Sequence, residues 1–272
     1  MHDRTKSIGG TDISAIVGMN PFKSAFDVWL EKTGQSVPKE ETLQMKLGKL
    51  MEPIVVELYD EQRDQKDGDI RNTKKVYVSH TRDWQTGTPD RLILGIPYNG
   101  FEAKTTSSYN ASEWADGAVP PAYQLQCHWY MNILDSEWWD IGCLIGNQSF
   151  VCTRLYRDKE LEAELVTAGE RFWQENVLKE IPPDGNDEKY LRFKYNTATE
   201  NVVPATSVAC QWANNLAEIR EQLEYWTGQQ EIAQNGLKRE IGYDEGVEGA
   251  RFRATWKFNK KGSRVFRFTY KN

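Results

Sequence analysis

Asp90, Glu102 and Lys104 are the side chains whose types and spacing could do chemistry. They stand in Gly87-Thr88-Pro89-Asp90 and in Gly100-Phe101-Glu102-Ala103-Lys104. Trp84 to Leu94 is rich in aromatic, β-branched and aliphatic residues, and Phe101 to Thr106 is a short half-apolar run, so both read as strands. Pro97-Tyr98-Asn99-Gly100 between them is a turn signal. A hairpin of this kind brings Asp90 and Glu102 together at a sheet edge. Adjacent carboxylates repel unless a cation sits between them, and an all-oxygen ligand set suits Mg²⁺ or Mn²⁺. Lys104, two residues beyond Glu102, points to the same face of a strand. An ammonium group there can hold or deprotonate a water, and metal, water and lysine together are what phosphodiester hydrolysis needs. Standing alone, three such common residues would read as decoration of a surface hairpin.

Other segments bear on that reading. Gly9-Gly10-Thr11-Asp12 precedes the apolar-periodic Ile13, Ile16 and Val17 and reads as a helix start. Such a start is either an anion site or an ordinary N-cap by Thr11 or Asp12. Glu52 lies among Leu47, Leu50, Met51, Ile54, Val55 and Leu58, close to the stripe expected to be buried, as a ligand or as a boundary residue reaching water. Gln124 and Gln126 head a helix after Pro120-Pro121, where they can also be plain polar positions. His2, His80 and His128 lack metal-ligand spacing.

The elements that must position these residues follow from periodicity and breakers. Residues 8–18, 24–32, 41–66, 121–134 and 158–180 read as helices, and 74–79, 84–94 and 100–106 as strands. Trp138 to Leu155 reads as a strand pair. Pro182-Pro183 blocks the last of these helices, and residues 185–205 are polar and read as irregular. From Ser207 a helix runs to about Asn235. Its apolar positions Trp212, Leu216, Ile219, Leu223 and Trp226 form a two-heptad seam, too short for an oligomerising coiled coil and better suited to packing on a neighbouring element. Residues 251–272 alternate polar or basic with aromatic side chains around Asn259-Lys260-Lys261-Gly262, a β-hairpin pattern. The pattern by itself says α/β or α+β, with a domain over 1–183, a linker over 184–206 and a helix-plus-hairpin extension over 207–272.

Five motifs occur in an order that resembles one family. They are Arg4 to Gly18 with its Gly9-Gly10-Thr11-Asp12, Asn20-Pro21-Phe22 to Gly34, Leu47-Gly48-Lys49-Leu50-Met51-Glu52-Pro53, the Asp90/Glu102/Lys104 hairpin, and Pro120-Pro121-Ala122-Tyr123-Gln124-Leu125-Gln126. Together they resemble the YqaJ-type viral recombinase and phage lambda exonuclease family of PD-(D/E)xK nucleases, over residues 1 to about 180. The resemblance implies a restriction-endonuclease-like mixed sheet flanked by helices. It implies a 5′-to-3′ exonuclease on double-stranded DNA ends, leaving a 3′ strand for a single-strand annealing recombinase. Metal ligands would be Asp90, Glu102, the backbone carbonyl of Ala103, and Glu52. Lys104 would orient or activate the attacking water, and Gln124 would line the site. Arg4 and Thr11 would contact the terminal phosphate; threonine stands where the family often has serine. The resemblance further implies a closed homotrimer and a phage or prophage protein in a bacterial host. An endonuclease on the same fold and a non-catalytic DNA-binding recombination scaffold are the alternatives.

Composition bounds these readings. At 272 residues and 39% hydrophobic, with ten tryptophans, the chain can bury a substantial core. No apolar run approaches about 18 residues, so no membrane span is expected. No signal-peptide core stands at the N-terminus, so a reducing cytoplasm is the default. Cys127, Cys143, Cys152 and Cys210 lack the clustered spacing of an iron–sulfur site and read as free thiols. The net charge of −6 is unevenly spread. Residues 251–272 hold eight Lys/Arg and no acid, which leaves 26 basic and 40 acidic residues elsewhere, a balance of −14. Basic residues interleaved with aromatics can bind single strands, or can be a solvated face over a small core.

Overall fold

A computed structural model describes residues 3–37, 40–73, 75–95, 97–185 and 188–270. His2, Lys74 and Lys271 lie outside the described residues. The chain forms two compact units, Met1–Thr197 and Ala198–Asn272.

The first unit holds helices α1 (Gly10–Ile16), α2 (Ala25–Lys32), α3 (Leu43–Gln62), α4 (Pro121–Leu134), α5 (Lys159–Phe172) and α6 (Glu188–Lys194). Its strands are β1 (Ile70–Arg71), β2 (Tyr77–Val78), β3 (Thr86–Gly87), β4 (Arg91–Ile93), β5 (Asn99–Thr106), β6 (Trp138–Ile145) and β7 (Ser149–Tyr156). The main sheet has the order β1-β4-β5-β6-β7. Only β5 and β6 are parallel, and α4 is the crossover that a parallel pair requires. Both central strands bury their apolar side chains, including Phe101, Trp139, Ile141 and Cys143. Burial on two faces is why β6 reads as a nearly continuous apolar run, whereas β5 is half-apolar and carries Glu102 and Lys104.

The strand expected over 84–94 is broken. Gln85 to Gly87 pairs with β2 and with the N-terminal segment, whereas Arg91 to Ile93 belongs to the main sheet. Pro89 sits at the break, where it has no N–H to give a ladder. The N-terminal segment is fixed there by two backbone bonds. Ile8 N–H donates to Trp84 O at 2.7 Å, and Thr86 N–H donates to Ile8 O at 2.9 Å.

Two further expectations need correction. Residues 185–205 are not wholly irregular, because α6 forms at Glu188–Lys194. Its Tyr190 and Phe193, one turn apart, pack on Phe26 of α2, and Phe193 also meets Trp29. The apolar stripe of α3 is only partly inside. Val55 and Tyr59 are buried, whereas Leu47, Leu50 and Ile54 are exposed. The helix after α5 continues through a π-turn at Trp173–Val177, in keeping with the long helix expected to about 180.

The second unit is α7 (Ser207–Ile241) followed by an antiparallel sheet of β8 (Gly246–Glu248), β9 (Phe252–Phe258) and β10 (Arg264–Tyr270), in the order β10-β9-β8. Beyond the expected hairpin, β8 adds a third strand. The heptad seam of α7 stays exposed, from Trp212 to Trp226. Only the C-terminal end of α7 is covered, with Gln234, Leu237 and Lys238 half-buried and Ile241 buried; Ala254 of β9 is buried too. Among the described residues no helix is long and apolar enough to cross a membrane.

Candidate active site

β4 and β5 pair with Arg91 opposite Phe101, so Asp90 leaves the end of β4 beside Glu102. The Ala103 N–H donates to Asp90 Oδ2 at 2.9 Å and fixes that carboxylate against the strand. Glu102 is buried. Its Oε1 accepts from Lys104 Nζ at 2.7 Å and from Gln126 Nε2 at 2.6 Å. Its Oε2 is buried with no hydrogen-bond partner. Lys104 Nζ also reaches Gln126 Oε1 at 3.1 Å and lies 4.8 Å from the centre of the Tyr123 ring.

These groups open onto a cleft of about 530 Å³. Asp90, Glu102 and Lys104 line it together with Arg4, Thr11 and Lys32. The N-terminal segment reaches the cleft because Ile8 runs beside Gln85. α1 is pressed onto α4: a Cβ on Gly10 would stand 2.7 Å from the Tyr130 ring, and one on Gly87 equally close to it. The two glycines are there because the backbone at each passes against that ring. The Tyr130 hydroxyl in turn accepts from Gln126 Nε2 at 2.9 Å.

The electrostatics are those of crowded carboxylates. Burial, and then the charge of Glu102, raise Asp90 to about 8 against the opposing pull of Lys104. Burial disfavours the charged form of Lys104, but Glu102 and Asp90 outweigh it, and its ammonium holds its proton more firmly than usual. An unpartnered buried oxygen on Glu102, beside a carboxyl that keeps a proton near neutrality, fits a site built for a cation. Its donors are hard oxygens, as Mg²⁺ or Mn²⁺ prefers.

The expected residues are not all gathered. Glu52 Oε1 accepts from Arg91 Nη1 at 2.7 Å, an ion pair that occupies it. It contributes to the raised Asp90 value, yet among the described residues no three His, Cys, Asp or Glu side chains group as a metal cluster. Gln124 donates from Nε2 to Val119 O at 2.6 Å, tying the turn before α4 to the helix. The glutamine that meets Glu102 and Lys104 is Gln126. Lys32 carried no signal in the sequence and is buried at the cleft. Its Nζ donates to Asp12 Oδ2 at 2.6 Å and to Arg4 O at 2.9 Å. Lys23 Nζ donates to the other oxygen of Asp12 at 2.7 Å. Burial would raise Asp12, but Lys32 and Lys23 bring it down to about 2. Asp12 also accepts from Gly9 N–H at 3.0 Å, so it caps the start of α1 from the third helical position, with Gly9 rather than Thr11 or Asp12 at the N-cap.

The model of the YqaJ-like viral recombinase domain matches residues 1–137, a span that contains the cleft residues from Arg4 to Tyr130. The protein YqaJ of Bacillus subtilis (strain 168) is 31% identical over 263 residues, covering 94% of this chain and 81% of that protein. The chain belongs to the YqaJ-like viral recombinase family. Among solved structures it is similar to LHK-Exo in complex with dAMP, with a TM-score of 0.55 at 18% identity over 71% of this chain and 95% of that one. The structure of LHK-Exo described as an alkaline exonuclease from Laribacter hongkongensis gives a TM-score of 0.52 at the same identity and coverage. At that identity the likeness is one of fold, and it agrees with the mixed sheet and flanking helices described above.

Proposed function

We propose that this member of the YqaJ-like family is a divalent-metal-dependent nuclease acting on DNA, and more closely a 5′-to-3′ exonuclease on duplex ends. The observation that carries the reading is one cleft lined by Asp90, Glu102 and Lys104 and also by Arg4 and Thr11. Carboxylates alone would repel a nucleic acid. Carboxylates that share a cleft with an arginine can hold a cation and a phosphate together.

Asp90 and Glu102 would hold the ion, with the carbonyl of Ala103 and, once released from Arg91, Glu52. When bound, Mg²⁺ or Mn²⁺ supplies Lewis-acid polarisation of the phosphoryl group and neutralisation of its developing charge. Lys104, fixed by Glu102 and Gln126, would position the attacking water by hydrogen bonding. Gln126 and Tyr130 would hold Glu102 in place from behind. Arg4 and Thr11 would bind the terminal 5′ phosphate, Arg4 by a charge-assisted bond. Lys32 ties the backbone of Arg4 to Asp12 and so sets where that residue starts. An annealing recombinase that coats the remaining 3′ strand, and a homotrimeric state, belong to the same reading.

Digestion of matched DNAs with Mg²⁺ tests it. A linear duplex should be degraded and a closed circle spared, with a 5′-phosphorylated end preferred over a 5′-hydroxyl end. Arg4→Ala should erase the preference for phosphate while basal hydrolysis survives. Cleavage of the closed circle would replace this reading by an endonuclease, and no cleavage with any divalent ion would leave a DNA-binding scaffold.

A further inference from the structure

We infer that a groove beside the candidate site seats the nucleoside that follows the scissile phosphate, its base out of the stack. The inference rests on the nuclease reading above. The groove holds about 820 Å³, within the range of small-molecule sites. It is lined by the loop from Met19 to Phe22, by Thr105 and Thr106 at the end of β5, and by residues between Asn110 and Tyr123. Thr105 follows Lys104 directly in the chain, and Thr106 takes the strand face of Lys104. Tyr123 joins groove and cleft: it lines the groove, and its ring centre lies 4.8 Å from Lys104 Nζ. The same ring stacks on the buried Trp114, with centres 5.8 Å apart. A nucleotide whose phosphate stands at Lys104 therefore has the groove within reach.

Three features choose the occupant. The first is charge. Glu113 is the one charged side chain among the described lining residues, so the groove offers a phosphate no cation and suits the uncharged part of a nucleotide. The second is an open ring on a fixed loop. Phe22 is 80% exposed and Met19 57%. Met19 N–H donates to Ser14 O at 2.8 Å, Asn20 Nδ2 to Ser14 Oγ at 3.1 Å, and Phe22 N–H to Asn20 Oδ1 at 2.9 Å. An exposed aromatic held in place offers a base a stacking face at little ordering cost. The third is position. Neither Arg4 nor Thr11 lines the groove. The terminal nucleotide, with one phosphate at Arg4 and the next at Lys104, belongs in the cleft that both residues line, so the groove takes the nucleotide after it. Bases within a duplex show no face, so a base seated here has left its stack.

The test uses the full chain, Mg²⁺ and 5′-phosphorylated duplexes in which the first or the second nucleotide of one strand is abasic. For the parent, a base missing at the second position should lower kcat/KM for release of the first nucleotide by roughly tenfold or more, the share of one stacked base. Phe22→Ala should lower kcat/KM on the intact duplex by a similar factor. It should also abolish the effect of the missing second base and preserve any effect of the missing first base. Phe22→Tyr keeps the ring and should stay within about twofold of the parent. An abasic residue also loosens the duplex end, so the decisive quantity is the ratio of the losses in parent and Phe22→Ala. Anisotropy of the same duplexes, labelled, in EDTA should repeat the order of affinities without cleavage, and circular dichroism establishes folding of each variant. No cleavage of any duplex with Mg²⁺ or Mn²⁺ would remove the nuclease reading and this inference with it. Cleavage by a parent indifferent to the second base, or by Phe22→Ala still sensitive to it, would overturn this inference alone. So would a fall in the oligomeric mass of Phe22→Ala with that sensitivity unchanged, which would give the groove to a second copy of the chain.

Discussion

Glu102 is the side chain on which the site converges, since one of its oxygens accepts from both Lys104 and Gln126 while the other has no partner. Its neighbour Asp90 is held near 8 by burial and by that same charge. Unfolded, an aspartate titrates near 3.9. The folded protein therefore keeps a proton that the unfolded chain loses, and this contribution is fully present below about pH 4 and is lost as pH rises to about 8. Metal-free protein should lose stability across that window, and Asp90→Asn should flatten the loss while reducing cleavage by roughly a thousandfold or more. Thermal melts in EDTA read the first effect and a digestion assay the second. A variant with near-parental turnover would remove Asp90 from the site. The two glutamines separate more sharply. Gln126→Ala strips Glu102, Lys104 and Tyr130 of a shared partner, and should cost roughly tenfold or more in turnover. Gln124→Ala removes only a bond to Val119 O and should act on stability, by about 1 kcal/mol. Side-by-side kinetics and melts of the two variants decide the assignment.

At the scale of elements, Asp12 joins α1 to α2 through Lys32 and to the following loop through Lys23. The carboxylate sits at about 2 in the folded protein against roughly 3.9 unfolded. A lowered acid stabilises above the unfolded value and loses its contribution as pH falls through the folded one. About 2 kcal/mol should therefore disappear between about pH 4 and pH 2. Lys32→Met leaves Asp12 buried with one cation fewer and should cost roughly 3 kcal/mol near neutral pH. Denaturant titrations of parent and variant at several pH values test both statements. The variant should also loosen Arg4, whose carbonyl Lys32 holds, and so weaken discrimination between 5′-phosphate and 5′-hydroxyl ends.

At the scale of the molecule, the candidate site lies wholly in the Met1–Thr197 unit, and the basic sheet lies in the other. Ending the chain at Thr197 should leave a cooperatively melting protein that still cleaves at saturating DNA. Its affinity should fall and its salt dependence flatten, because the eight basic residues of 251–272 go with the lost segment. Turnover at saturation measured beside affinity at several salt concentrations distinguishes this outcome from a loss of folding.

Some of this was legible in the chain before any coordinates. Alternating strand patterns and the Pro-Tyr-Asn-Gly turn place Asp90 next to Glu102, because a hairpin fixes its own register. A period of two puts Lys104 on the face of Glu102. The proline pair before α4 and the two-residue breaker after Ile181 mark helix limits by local sterics alone. What only the tertiary structure decided are the contacts between distant segments. Residues 124 and 126 are both polar at the head of one helix, but two residues are about 200° of rotation, so only one can face the sheet, and packing on Tyr130 selects Gln126. Arg91 reads as a strand residue and gives no sign that it will occupy Glu52. Lys32 reads as a surface lysine at a helix end until Asp12 and the Arg4 carbonyl enclose it. Periodicity reports which face a residue takes along its own element; which partner meets that face depends on how elements far apart in sequence pack.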